Sequence, residues 1–503
     1  SIVSIQLVAR GRAAGLVFTA RDVFERKTVA GLAAVARPAD DLTAPVVEVS
    51  GVGDVELMPI VHGLRDRGGP IDRFAQSVLL RVPEGARLED LTGALRTVVD
   101  HHDALRLRLG VVPEWSLEVL PAGSVVVSEC VVRVDVSGVA EAELGEVVRG
   151  EAEAAQGRLA PESGVMVQVV WFDAGAGRQG RLLLVVHHLA VDGVSWRVLV
   201  PDLVSAWEAQ TEGRSPVLPA VGTSVRDWAR RLVEEAQAPV REGELALWSD
   251  VLSSPDEPLS GQVLDPVRDV WASARLASVE LAPEVAGPLL TRVPAAFHGG
   301  VNDVLLATLG VAVADWRRRQ PAGSDSKGDQ PDSVLVELEG HGREELGEGV
   351  DLSRTVGWFT SLFPVRLDVS GVDVDEALTG GAALGVAVKR VKEHLRSLPD
   401  RGLGYGLLRH LNPRTAPVLS DLEAQAPAQI VFNYLGRFAG SDTTDPWTPA
   451  PESIDSGPDG RTPMGRLLTI NALTEDRADG PYLSVSVAWP EALLSREQVE
   501  DLL

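Results

Sequence analysis

Over the first 36 residues the apolar positions recur at helical spacing, with Ile2, Ile5 and Val8/Ala9 on one stripe. Thr19 with Asp22 three residues on resembles a capping box that opens a short helix through Phe24, and Thr28 is placed to cap a third helical segment over residues 29–36. Residues 37–54, holding Pro38-Ala39-Asp40-Asp41 and then Ala44-Pro45, read as a linker. From about Val55 onward, short β-branched runs alternate with helical patterns: strand over 77–82, helix over 88–99, strand over 125–134, helix over 141–156. Residues 182–188 form a continuous apolar run ending in two histidines, the pattern of a strand buried on both faces. A helix through Trp196, Leu199, Leu203 and Trp207 follows. After a proline-containing break at 213–222, Thr223 or Ser224 is placed to cap a helix running through Trp228-Ala229-Arg230-Arg231-Leu232. A second half repeats the style, with a helix over 302–316, a polar loop over 320–333, a strand over 334–338 and a loop over 446–463. Alternation of this kind predicts an α/β protein with α+β layers.

Composition narrows the choice of partners. The 503 residues are 45% hydrophobic and 24% charged, as in ordinary globular chains, and the length suggests about three domain-sized units. Lys and Arg number 47 against 72 acidic residues, and the resulting charge of −25 repels phosphate backbones and anionic lipid, so neither nucleic acid nor membrane is an expected partner. Cys130 is the single cysteine, which excludes an intrachain disulfide and a multi-thiolate metal site and fits a reducing compartment such as the cytoplasm. The longest apolar runs fall short of the ~20 residues a spanning helix needs, so the chain reads as soluble. It opens at Ser1 without an initiator Met or a signal-type segment and reads as cut from something longer. Within the first 36 residues Arg10, Arg12, Arg21, Arg26 and Lys27 stand against Asp22 and Glu25, so this piece is basic inside an acidic chain.

The sharpest chemical feature is His187-His188-Leu189-Ala190-Val191-Asp192-Gly193-Val194-Ser195-Trp196 at a strand end. Neighbouring strand residues point to opposite faces, so one histidine alone can face a cavity, which argues against the pair chelating one metal. A pair of hydrogen-bonded core histidines would look the same. A strand end running into Asp-Gly favours function, because reactive groups in α/β folds gather where strands give way to loops. Asp192 reads as a buried carboxylate in need of an arginine, with Arg106 or Arg108 as candidates. A second strand end, Glu337-Leu338-Glu339-Gly340-His341-Gly342-Arg343-Glu344, puts Glu337 and Glu339 on one face and follows them with glycines that allow close backbone approach to a ligand. Glu339 read alone is also what a solvated carboxylate would show.

Taken together, these segments resemble the nonribosomal peptide synthetase condensation superfamily. The Val194-Ser195-Trp196 ending, Glu339-Gly340-His341-Gly342-Arg343-Glu344, the run from Pro399 through Gly402-Leu403-Gly404-Tyr405-Gly406, and Phe432-Asn433-Tyr434-Leu435-Gly436 are similar to its epimerization branch. His102-Asp103-Ala104-Leu105-Arg106 is similar to an earlier motif of the family. The basic N-terminal piece, Ser1-Ile2-Val3-Ser4-Ile5-Gln6-Leu7 with Phe18-Thr19-Ala20-Arg21-Asp22-Val23-Phe24, resembles the second half of a peptidyl carrier domain. There the residue at the Ser1 position receives 4′-phosphopantetheine; a helix N-cap is the other reading of Ser1.

The resemblance implies two chloramphenicol-acetyltransferase-like halves forming a V-shaped pseudo-dimer with a tunnel between them, over residues 55–222 and 223–503. A carrier remnant (1–36) and a linker (37–54) precede them. It implies epimerization at the Cα of an aminoacyl or peptidyl thioester by the imidazole of His188 and the carboxylate of Glu339, without a metal. Tyr434, with Asn433, is expected to position substrate or stabilise the oxyanion, His187, Asp192 and Gly193 to support His188 and its loop, and His341 is an outside candidate for proton transfer. Implied partners are the chain's own carrier domain, with the substrate tethered to it, and the upstream adenylation and downstream condensation domains of an assembly line. Peptide-bond formation between two carriers is the competing activity, and a non-catalytic recruitment domain a third.

Overall fold

The computed structural model describes residues 51–319, 333–344, 346, 347, 349–439, 445–454 and 457–503. Within the first fifty residues it describes 7, 8, 10, 11, 14–18, 22, 23, 26 and 28–38. In this leading part Thr28 accepts a hydrogen bond from Gly31 N–H at 3.0 Å and caps a helix as the sequence predicts, but that helix spans Val29–Ala33 and ends short of the expected residue 36. Arg37–Pro38, read as linker, pairs with Leu16–Val17 in a two-stranded antiparallel ribbon. Ser1, Thr19 and residues 39–50 lie outside the described residues.

The first half has a central sheet of four strands, β1 (Ala75–Val82), β2 (Val131–Asp135), β3 (Val167–Asp173) and β4 (Gly180–His187), in the order β1-β4-β3-β2, and a smaller antiparallel sheet in which Ser116–Val119 lies between Gly53–Val55 and Leu107–Gly110. All eight residues of β4 are buried. Leu182, Leu184 and Val186 enter one apolar cluster while Leu183 and Val185 enter another, because successive side chains leave a strand on opposite faces. Helix α1 (Pro59–Arg67), α2 (Leu88–His101), α4 (Trp196–Thr211) and α5 (Val225–Ala236) contribute to the first cluster, and α3 (Glu141–Gln156) covers the opposite face. Ser224 caps α5 by accepting from Asp227 N–H at 3.1 Å. The strand expected over 125–134 is shorter than its composition suggests: Val127–Glu129 form a helical turn, and pairing with β3 begins at Val131.

The second half has six strands, β5 (Ala274–Leu281), β6 (Ser333–Gly340), β7 (Ser361–Asp368), β8 (Ile430–Ala439), β9 (Leu468–Arg477) and β10 (Gly480–Pro490), in the order β5-β10-β9-β8-β6-β7. Helices α6 (Val301–Arg319) and α7 (Ala382–Ser397) pack on the face that carries Val336, Leu338, Phe432 and Ile470. Glu337, Glu339 and Asn433, at the alternate positions, leave the sheet on its other face.

Three kinds of contact join the halves. The described part of the predicted loop 446–463 contains no helix, and its first portion lies along β1: Trp447 N–H donates to Arg81 O at 2.8 Å, Arg81 N–H to Thr448 O at 2.9 Å and Ala450 N–H to Leu79 O at 2.9 Å. Leu352, Val356, Trp358 and Phe359 enter the first half's core. Buried ion pairs complete the junction, Asp192 with Arg343, Asp202 with Arg354 and Arg181 with Glu452. Among the described residues no single helix is long and apolar enough to cross a membrane.

Candidate active site

β4 ends at His187, and the chain turns there into a short helical segment, His188–Ala190. His187 and His188 therefore separate as strand alternation requires. His187 is sealed: its Nδ1 accepts from Leu189 N–H at 3.3 Å, which leaves Nε2–H to donate to Ile71 O at 2.8 Å. His188 keeps some accessible surface. Its ring is stacked on Phe74 at 4.7 Å between centroids and tilted against Trp358 at 4.6 Å. Burial among these rings pushes the imidazole down to about 4, so His188 is neutral at physiological pH.

Asp192 holds the loop after His188 to the second half. Its carboxylate accepts from Val194 N–H at 3.1 Å, Ser195 N–H at 2.9 Å, Ser195 Oγ–H at 2.9 Å and Phe359 N–H at 3.2 Å. Its cation is Arg343, which donates to both carboxylate oxygens and stacks 4.4 Å over the Phe359 ring. The expected partners are otherwise engaged: Arg106 serves Asp103 and the carbonyls of Val99 and Leu120, and Arg108 pairs with Glu118, directly opposite it on the neighbouring antiparallel strand. Arg343 wins because its segment is the one that crosses to His188's loop. Burial alone would raise the Asp192 carboxyl, yet Arg343 and the loop donors hold it below the usual range. Gly193 is exposed, with nothing within 4 Å of where a Cβ would project.

On the second half Glu339 stands at the penultimate position of β6, half-buried, accepting from Asn433 Nδ2–H at 2.5 Å. Glu337 shares its face and is bound by Arg466 at 2.7 Å. Burial, reinforced by the neighbouring Glu337 charge, pushes Glu339 up to about 7 against the counteracting pull of Arg67 and the Asn433 amide. Arg67 closes α1 on the first half and acts electrostatically on both Glu339 and His188, which marks both groups as parts of one field.

Two expected participants stand elsewhere. Tyr434 follows Asn433 on β8, so its side chain takes the core face with Phe432, and its hydroxyl meets Thr474 Oγ1 at 3.0 Å. It makes no hydrogen bond to Asn433 or Glu339. His341 is turned inward, its Nδ1 accepting from Arg343 N–H at 3.1 Å, and burial with the nearby Arg401 and Arg343 cations pushes it down to about 3. The glycines after Glu339 serve backbone packing: at Gly342, with φ of +62°, a Cβ would lie 1.5 Å from Phe359 O. Sequence reasoning missed Gln76, whose amide lies 3.0 Å from His188 Nε2, and Arg67; Gln76 does not titrate, and Arg67 ends a charged helix far from either strand-end motif in the sequence. The His102 motif packs its helical turn Asp103–Arg106 against the turn His188–Ala190, and His102 binds Asp202 at 2.8 Å, whose carboxylate Arg354 also holds.

With this fold and site in view, the comparisons define the class. The Condensation domain family matches residues 72–450, and the chain belongs to that family. The two halves accordingly form a chloramphenicol-acetyltransferase-like pseudo-dimer. In particular, the chain is 35% identical to a linear gramicidin synthase polypeptide of Brevibacillus parabrevis over 99% of its own length and 9% of the synthase. It is 31% identical to surfactin synthase subunit 1 of Bacillus subtilis over 87% of this chain and 11% of that one. It thus spans a small part of these multidomain relatives. Among solved structures, the epimerization domain from the third module of tyrocidine synthetase B superposes with a TM-score of 0.76 at 28% identity, covering 90% of this chain and 94% of that domain. The X-domain from teicoplanin biosynthesis, at a TM-score of 0.59 and 19% identity over 89% and 92%, shares the fold.

Proposed function

We propose that this domain epimerizes the Cα of an aminoacyl or peptidyl residue held as a phosphopantetheine thioester on a carrier domain. The observation that carries the reading is Glu339: a second proton carrier, raised to about 7, in one electrostatic field with a neutral histidine from the other half. Joining two carrier-bound substrates needs one base at the attacking amine. Inverting Cα needs a proton removed from one face and another supplied to the opposite face, hence two groups in complementary states. At rest His188 offers a lone pair and Glu339 offers a proton.

In the forward direction His188 takes the Cα proton while the electron pair delocalises into the thioester carbonyl. Glu339 then returns a proton to the other face, leaving an imidazolium and a carboxylate. The reverse direction runs from that charged pair, or the pair resets by exchange with solvent. Acid–base assistance of this kind supplies about 10²–10⁴-fold. Arg67 favours negative charge between the halves and so opposes the electrostatic cost of an enolate-like intermediate.

The substrate arm belongs to a carrier, and Ser1 is the position proposed for its attachment in the chain's own carrier remnant. Adenylation and condensation domains are the proposed upstream and downstream neighbours, in line with the multidomain synthases to which the chain is similar. The test is a carrier-loaded L-aminoacyl thioester incubated with the domain in D2O. Solvent deuterium at Cα and appearance of the D-residue on chiral analysis are expected. No deuterium, or a lengthened product on a second carrier, overturns the reading.

A further inference from the structure

The first half holds a chain of two hydrogen bonds that ends on the reactive atom of His188. Phe74, just before β1, and Gln76, its second residue, project to the same side, Phe74 stacking beneath the imidazole and Gln76 reaching its edge. The Gln76 amide is held at both ends: Trp196 Nε1–H donates to Oε1 at 2.8 Å, and Nε2 lies 3.0 Å from His188 Nε2. An indole N–H only donates, so it fixes which end of the amide is oxygen; the flipped amide would set two N–H groups against each other. The amide N–H therefore points at His188 Nε2, and Nε2 accepts. The ring proton is then on Nδ1, which is buried beside the backbone of His188 and Val191.

We infer that Gln76, oriented by Trp196, is a positioning residue that fixes His188 in the neutral Nδ1–H tautomer and opposes protonation at Nε2. A proton arriving on Nε2 would face the Gln76 N–H donors, and the amide cannot turn its oxygen to meet it without abandoning Trp196. The relay thus disfavours the imidazolium and keeps the lone pair on Nε2, where the Gln76 N–H must yield before that atom takes up a proton. The charged and titratable neighbours of His188 are Arg67 from α1, which opposes imidazolium, Asp192 from the following loop, which favours it but is neutralised by Arg343, and His187 on β4, itself neutral. Phe74 and Trp358 contribute uncharged faces. This inference deepens the epimerase reading and rests on it only for the kinetic consequence.

The test begins without substrate. In protein labelled with ¹⁵N-histidine, the His188 signal is identified among nine histidines by its loss in H188N. At pH 7 wild type is expected to show the Nδ1–H tautomer. In Q76E the carboxylate accepts from both Trp196 and an Nε2–H, so the His188 pKa is expected to rise by at least one unit, tenfold in the protonation equilibrium. In W196F the amide is free to turn, and both tautomers should be populated. Melting curves and circular dichroism establish that each variant is folded, and W196F carries the test should Q76E not fold. An Nε2–H tautomer in wild type, or a His188 signal unmoved in every folded variant, overturns the inference. The acid limb of kcat/KM for Cα exchange should move up with the Q76E pKa, whereas a merely structural loss lowers kcat at every pH. Should wild type show no exchange while the spectra behave as described, the epimerase reading fails and the role of Gln76 toward His188 stands.

Discussion

Replacing Arg343 by methionine removes the cation from a carboxylate that is 4% exposed, while the arginine itself is 6% exposed. Breaking a buried pair from one side costs about 3–5 kcal/mol, because the surviving charge is stranded. Asp192 keeps four other donors, from Val194, Ser195 and Phe359, so we place R343M near the lower end, about 3 kcal/mol. D192N strands the guanidinium instead, with only Ser195 Oγ and Thr355 O at 3.3 Å each, and should cost at least as much. The double variant D192N/R343M carries no buried charge, so its cost should fall short of the sum by about 2–3 kcal/mol. Urea unfolding at pH 7, followed by tryptophan fluorescence and circular dichroism, measures all four states, and for a pair this deep the coupling should persist in 1 M salt. The native Asp192 carboxyl is depressed, so its contribution is present above the unfolded value near 4 and is lost as pH falls below it. Single variants within about 1 kcal/mol of wild type, or strict additivity, would refute the assignment of this pair as the clasp between the halves.

Four further outcomes are expected. Because Glu339 is raised from 4.5 to about 7, the native state holds a proton that the unfolded chain releases, and wild-type stability should decline between those pH values. E339Q should abolish that decline, worth about 1–3 kcal/mol once its accessible surface is allowed for, while suppressing Cα exchange at least 100-fold; a parallel pH profile would refute the shift. N433A removes the donor that favours the Glu339 carboxylate, so the basic limb of the exchange profile should move to higher pH, and a downward move would contradict the contact. Y434F should cost about 1 kcal/mol through Thr474 and leave exchange within a few-fold of wild type; a 100-fold loss would restore the phenol to the reaction. G342A must move the Phe359 backbone, and should lower the melting temperature more than G193A, where space is open.

The elements were legible where periodicity was long and uninterrupted. Helix α3 runs over the residues its apolar repeat marks, and β4 is buried on both faces as its unbroken run requires. The short strand β2 is less legible in length, because a β-branched run also fits a helical turn leading into a strand. Alternation decides the histidine pair correctly and, applied equally to Asn433 and Tyr434, assigns them to opposite faces; the family resemblance places both at the site. Ion-pair partners were not legible. Arg106 and Arg108 belong to an arginine-bearing motif that precedes Asp192 in the chain, but partnership is set by which backbone crosses the junction, and a one-dimensional pattern does not contain that.

The junction explains why the site needs both halves. His188 lies four residues before Asp192, and Glu339 lies four residues before Arg343, so a single buried ion pair ties together the two short segments that follow these two titratable groups. The same burial sets their chemistry in opposite senses: desolvation lowers an imidazole and raises a carboxyl, since it penalises whichever form is charged. Glu339 therefore holds its proton up to about 7 and His188 releases its own above about 4, leaving a window in which acid and base coexist uncharged. Two groups matched in free solution would reach the complementary state only as an ion pair, with the imidazole carrying the proton. Enclosure between the halves inverts that order, and opening the clasp should return both groups toward their ordinary values. In R343M the exchange rate and the pH window should thus fail together, the acid limb rising and the basic limb falling, whereas a defect confined to stability would leave the limbs of the surviving folded fraction where they were.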